Sequence, residues 1–165
     1  DEIEKVRLQM SEQFVLQDLG SLQYYLGVEV EQCDDMTIHL HQKGYTEKIL
    51  KRFGLENCQS RATPLPVNGT LSLKDCPEEV DADLQREYRE MVGSLMFLYQ
   101  WTRPDIGYAV TFLSRYLHRP GVKHLEAAKH VLRYVKGTIG KGIKYTRDPI
   151  KLKERSQELN VLYGL

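Results

Sequence analysis

The sequence predicts an α+β fold, with an N-terminal helix and β-hairpin followed by a mostly helical segment. Three observations predict it. Apolar residues step by three and four over residues 2–14, alternate with polar ones over 22–41, and step by three and four again from Leu84 to Val135.

The elements follow in order. Ile3, Val6, Met10 and Phe14 make one stripe, which predicts a helix over 2–14. Asp18, Gly20 and Ser21 interrupt it. Leu22, Tyr24, Leu26, Val28 and Val30 alternate with more polar neighbours and predict one half-buried strand. Met36, Ile38 and Leu40 predict a second, with Asp34 and Asp35 as the turn of the hairpin. Tyr45, Ile49 and Phe53 mark a further helix, and Gly54 stands where a C-terminal cap belongs. Residues 57–82 contain Pro64, Pro66, Gly69 and Pro77 and predict an irregular connection, either mobile or packed over the surface. Leu84, Tyr88, Met91, Leu95 and Leu98 predict the next helix. Thr102 is expected to cap the one after it, with Pro104 in its first turn, apolar residues from Ile106 to Leu117 on its face, and Pro120 as its stop. Leu125, Ala128, Leu132 and Val135 predict a last helix closed by Gly137, and residues 142–146 a strand. The divisions expected are 1–56, a linker at 57–82, 83–146, and a tail at 147–165 that is frayed or disordered.

Composition narrows the function classes. Of the 165 residues, 41% are apolar and 28% charged, enough for a modest core. No apolar run approaches the roughly 18 residues of a membrane span, and the N-terminus lacks the basic and apolar regions of a secretory signal. Cys33, Cys58 and Cys76 are an odd, scattered set, which argues for a reducing, intracellular setting, cytoplasmic or nuclear. His39 and His41 share one strand face and offer half a metal site. No cysteine lies at a zinc-ligand spacing, so ordinary strand histidines are the expectation.

A net charge of zero hides a polarity. Residues 1–102 hold 10 basic and 18 acidic side chains, whereas 103–155 hold 13 basic and 4 acidic. The basic stretch is either a footprint for a polyanion or a surface that docks on the acidic half. Lys129, Arg133 and Lys136 are spaced four and three apart, a ridge beside the apolar stripe, with His130 and Tyr134 on a neighbouring face. Such a ridge either tracks a phosphate backbone or is a solvated basic face. Arg103 has two readings as well, a bridge to Asp105 within a capping turn or a contact to phosphate. The paired Asp34 and Asp35 suit a turn, and no third carboxylate accompanies them to hold the metals of a polymerase. The motifs of NTPases, serine hydrolases and zinc proteases are absent.

Five stretches together resemble the copia-type retrotransposon reverse transcriptases: QDLGSLQYYLGVEV (17–30), HQKGYTEKILKRFGL (41–55), ATPLP (62–66), YREMVGSLMFLYQWTRPDIGYAV (88–110) and HLEAAKHVLRYVKGTIGKGIKY (124–145). They stand in the family's order, and the resemblance runs to about residue 146. It implies that the first helix and hairpin end a polymerase palm and that the later helices are thumb and connection. The hairpin around Leu26, Gly27 and Val28 would lie where such enzymes grip the primer. Arg103, Lys129, Arg133 and Lys136 would meet the backbone of an RNA–DNA or DNA primer–template duplex. The remaining partners implied are the rest of the reverse transcriptase and a ribonuclease H domain, with no membrane. The intact family uses Mg²⁺, but its Tyr-x-Asp-Asp motif is not found in these residues, so no cofactor and no catalytic residue is expected here. The expectation is a fragment inactive alone, left by truncation of the element or by a boundary drawn past the active site. A degenerate remnant serving as an interaction module, and a piece that works once a separate fingers–palm piece completes it, are the other readings.

Overall fold

The computed structural model describes residues 2–33, 36–66 and 71–146. The Asp34–Asp35 turn, Gly69 and the tail at 147–165 lie outside the described residues.

The first helix, α1 (Glu2–Ser11), is shorter than the stripe predicts and buries none of its residues. Val6, Met10 and Phe14 stand 53%, 47% and 61% exposed. Arg7 ties the helix to the next segment by pairing with Glu4 at 2.6 Å and Asp18 at 2.9 Å.

The predicted strand over 22–30 is instead two strands. β1 (Tyr24–Tyr25) and β2 (Val28–Gln32) are antiparallel, with Tyr25 opposite Val28. Leu26 and Gly27, at φ +49° and +88°, form the two-residue turn between them. Positive φ at both central positions gives the twist that antiparallel neighbours need. The unbroken alternation of the sequence conceals this turn, because two turn residues preserve the period while the chain reverses. β3 (Ile38–His41) pairs with β2, and β4 (Gly142–Tyr145) pairs with β3, giving the sheet order β1-β2-β3-β4. The last described strand thus returns more than a hundred residues to the hairpin that opens the sheet.

Between β3 and β4 lies the helical body. α2 (Lys43–Arg52) buries Thr46, Ile49 and Leu50. Gly54, at φ +66°, lets the chain turn out of it, with Gly54 N donating to Lys51 O at 3.1 Å and Leu55 N to Leu50 O at 2.8 Å. α3 (Ala82–Trp101) starts at Asp81, whose carboxylate accepts from Asp83 N and Leu84 N. Its residues Tyr88, Met91, Val92, Leu95 and Leu98 are fully buried. They pack against Ile106, against Val110 and Leu113 of α4 (Gly107–Ser114), and against Ala128, Val131, Leu132 and Val135 of α5 (Val122–Gly137). The Tyr88 hydroxyl donates to Leu113 O at 2.8 Å inside this core, so its burial leaves no polar group unpaired.

Thr102 is not the N-cap that the sequence predicts. It closes α3 from the C-terminal side, and its hydroxyl donates to Gln42 Oε1 at 2.8 Å in a buried contact. Arg103 takes the N-cap position of a 3₁₀ turn, Pro104–Ile106, that leads into α4. Pro104 does sit in the first turn as expected. The connection after Gly54 packs over α5: Arg61 N donates to Arg133 O at 3.3 Å, and His130 Nε2 lies 3.0 Å from Thr63 O.

Leu26 occupies a left-handed conformation that costs an L-residue with a large side chain roughly 1–2 kcal/mol. Asn tolerates it better, so Leu26→Asn is expected to raise stability by about 0.5–1 kcal/mol, read as a higher urea midpoint. A lower midpoint would mean that contacts of the Leu26 side chain outweigh the strain.

Candidate nucleic-acid interface

Residues 103–146 carry nine basic and two acidic side chains. Arg103 is 2% exposed. Its Nε donates to Asp105 Oδ1 at 2.9 Å, and Nη2 to Asp105 Oδ2 at 2.8 Å and Thr138 Oγ1 at 2.6 Å. Nη1 donates to Thr138 O at 3.1 Å. The guanidinium also lies 5.7 Å from the ring centre of Tyr134, whose hydroxyl donates to Asp105 Oδ2 at 2.8 Å. Of the two readings of Arg103, the geometry supports the bridge to Asp105. A group so enclosed is not on the surface that a duplex would meet.

The other eight basic side chains of this stretch, Arg115, Arg119, Lys123, Lys129, Arg133, Lys136, Lys141 and Lys144, are exposed or half-buried. Several are already held. Lys123 Nζ lies 2.6 Å from Asp75 Oδ1, Lys129 Nζ lies 3.6 Å from Glu87 Oε1 of α3, and Lys136 donates to Cys58 O. Burial pushes the His130 pKa down, against the bond to Thr63 O that raises it, and the nearby charges of Arg61 and Arg133 lower it further. Lys129, Arg133 and Lys136 all stand half-buried on α5, and the connection at 58–63 lies along that helix. The sequence reasoning passed over Arg115, Arg119, Lys123, Lys141 and Lys144. Their signal is the run of single cations that continues on either side of the ridge.

Leu26 and Gly27 form the tip of the β1–β2 turn, with Leu26 60% exposed and the adjoining Val28 buried. Phe97 of α3 packs against Gly27 and meets Tyr45 of α2 edge to face, ring centres 4.8 Å apart. The turn is thus seated on the helical body rather than projecting free.

A second group of polar side chains lies on the sheet. Glu29 pairs with His41 and Glu31 with His39 across β2 and β3. Glu31 Oε1 is 3.0 Å from His41 Nε2, and Glu31 Oε2 is 3.2 Å from His39 Nδ1. Hydrogen bonds from His39 and then His41 hold the Glu31 carboxyl below the usual carboxylate range. The search for a cysteine partner missed these carboxylates. Strand register, which places residues 8 and 12 apart side by side, was the signal that could have found them. The three cysteines are free thiols.

Comparisons with known proteins agree along most of the chain. Residues 1–67 match the family described as reverse transcriptase (RNA-dependent DNA polymerase). The Retrovirus-related Pol polyprotein from transposon TNT 1-94 of Nicotiana tabacum is 39% identical over 142 residues, which is 84% of this chain and 11% of that protein. The Pol polyprotein from transposon RE1 of Arabidopsis thaliana is 38% identical over 81% of this chain and 9% of its own length. An uncharacterized mitochondrial protein of Arabidopsis thaliana is 37% identical over 82% of this chain and 54% of its own length. The chain thus spans about half of one of these relatives and about a tenth of the others. No solved structure matches. No helix among the described residues is long and apolar enough to cross a membrane.

The electrostatics of this half have a consequence at low pH. The hydrogen bond from Lys123, followed by those from Ser72, lowers the Asp75 carboxyl to about 2. Burial pushes the Asp105 carboxyl up, but the bonds from Arg103 and Tyr134 outweigh it and leave it depressed. A carboxyl depressed in the folded state adds stability above its unfolded pKa and loses it as the pH falls through the folded one. Urea midpoints are therefore expected to fall between about pH 4 and pH 2. The fall should be shallower in Asp75→Asn, and an identical fall in that variant would contradict the assignment.

Proposed function

The chain belongs to the copia-type retrotransposon reverse transcriptases, and on that premise we propose that these residues hold a primer–template duplex by its backbone rather than add nucleotides. One observation carries the reading: of the nine basic side chains at 103–146, only Arg103 is buried, while the other eight reach solvent. The contact surface is the α5 ridge of Lys129, Arg133 and Lys136, continued by Lys141 and Lys144. Exposed ion pairs such as Lys129–Glu87 at 3.6 Å contribute about 0–1 kcal/mol, so phosphate replaces them at little cost. The exposed turn at Leu26 and Gly27 serves as the primer-side contact. The apolar stripe of α1 offers surface to the rest of the reverse transcriptase. Nucleotide addition needs clustered acids that hold Mg²⁺, and no motif in these residues supplies them.

Binding of this kind is blind to sequence and weakens with salt, because each neutralised phosphate releases counterions. Titrating the chain into a labelled RNA–DNA hybrid at several salt concentrations is expected to give a negative slope of log affinity against log salt. Reversing the charge at Lys129, Arg133 and Lys136 should reduce that slope by roughly 2–3 while leaving the melt in place. Salt-insensitive binding, or none at low salt, counts against the reading.

The ion pairs Lys123–Asp75 and Lys129–Glu87 favour a second reading, in which the basic half neutralises the acidic half and the chain is a degenerate module. The same reversal distinguishes it, since unfolding with no binding to lose is its outcome.

A further inference from the structure

We propose that Glu31, His39 and His41 form a binding site for one divalent transition-metal ion of the zinc type, bridging β2 and β3. The inference rests on side-chain geometry and stands whether or not the chain binds a duplex.

The site comes from register. Residues two apart on a strand share a face, so His39 and His41 stand side by side on β3, their rings 4.9 Å apart. The antiparallel pairing sets Glu31 opposite His39, where its two oxygens reach His39 Nδ1 at 3.2 Å and His41 Nε2 at 3.0 Å. The three ligand atoms all lie within 4.8 Å of one another. A tetrahedral ion with bonds of about 2.0–2.2 Å holds neighbouring ligands roughly 3.4 Å apart. Glu31 already lies within that spacing of both ring nitrogens, and its side chain, 61% exposed, can follow a small turn of the histidine rings, which are 13% and 6% exposed. Two imidazoles and one carboxylate are the donor set that zinc takes, with a position left for water on the solvent side.

An outer shell is present too. Glu29 Oε2 lies 3.7 Å from His41 Nδ1, and its other oxygen accepts from Gly44 N at 2.7 Å. Metal at Nε2 places the ring proton on Nδ1, where Glu29 receives it. The long bond that Lys43 N now makes to Nδ1, at 3.3 Å, is given up in exchange. A carboxylate behind a ligating imidazole orients the ring and raises its basicity. Lys144, opposite His39 on β4, is exposed and carries its charge on a flexible stem into solvent.

The test is calorimetric titration of Zn²⁺ into the full, tag-free chain, with circular dichroism as the check on folding. One ion per chain is expected, with a melting midpoint that rises with Zn²⁺ because the ion binds only the folded register. Glu31→Gln and His39→Gln should each weaken binding by at least about tenfold and abolish the rise in midpoint, and Glu29→Gln should weaken it by about tenfold. Glu31→Gln changes an exposed side chain, so it keeps the test valid should a histidine variant fail to fold. Serine at Cys33, Cys58 and Cys76 should leave binding unchanged. Absence of 1:1 uptake, uptake unaffected by Glu31→Gln, or uptake lost with the cysteines would each overturn the proposal.

Discussion

A guanidinium enclosed at 2% exposure dictates how the second half of this molecule is put together. Arginine stays charged, and an unpaired buried charge costs several kcal/mol. Its donors must therefore find acceptors, and they find them in two places. Asp105 takes Nε and Nη2 in a two-pronged bridge, and Thr138 takes Nη1 and Nη2 with its carbonyl and hydroxyl. Tyr134 completes the enclosure by donating to the same carboxylate. The bridge thus clamps the turn after α3 to the C-terminal end of α5. Four residues past Thr138 the chain enters β4 and pairs with β3. Closing the sheet depends on where α5 ends, and Arg103 fixes that end.

This constraint also sorts the charges. The basic surplus of 103–146 looks uniform in the sequence, yet it divides into one cation that holds the fold and eight that reach solvent. Only the second kind can trade a partner for phosphate without unfolding anything. Lys136, which donates to Cys58 O, and the covering segment at 58–63 set a limit on how much of the α5 ridge a duplex can reach while that segment stays in place. The acidic half is likewise divided. Asp75 and Glu87 balance cations of the other half, whereas Glu29 and Glu31 face histidines on the sheet.

Much of the fold was legible because it follows from period. The stripes of α3 from Tyr88 onward and of α5 bury as spaced, α2 buries Ile49 with Tyr45 and Phe53 half-buried beside it, Gly54 caps α2, and Pro104 opens a helical turn. What escaped depends on contacts distant in sequence or on backbone conformation. The Leu26–Gly27 turn preserves the alternation it interrupts, so no count of apolar residues reveals it. Thr102 has the chemistry of an N-cap, but a buried glutamine sixty residues earlier claims its hydroxyl. Arg103 reads as a bridge within a capping turn or as a phosphate contact until burial decides. Glu31 meets His39 and His41 only through strand register, which a search for zinc-ligand spacing does not sample. The family resemblance was legible from five ordered stretches, since they survive where single motifs are weak.

A double-mutant cycle on Arg103 and Asp105 tests most directly whether the bridge is structural. Stabilities from urea unfolding would be compared for Arg103→Met, Asp105→Leu and the pair together. Removing Asp105 alone strands the buried guanidinium, typically at about 3–5 kcal/mol, whereas replacing both partners with apolar groups can be nearly neutral. The bridge therefore predicts a double variant more stable than Asp105→Leu alone, with coupling above about 1 kcal/mol. Additive losses, or an Arg103→Met chain that melts like the parent and loses only duplex binding, would contradict it.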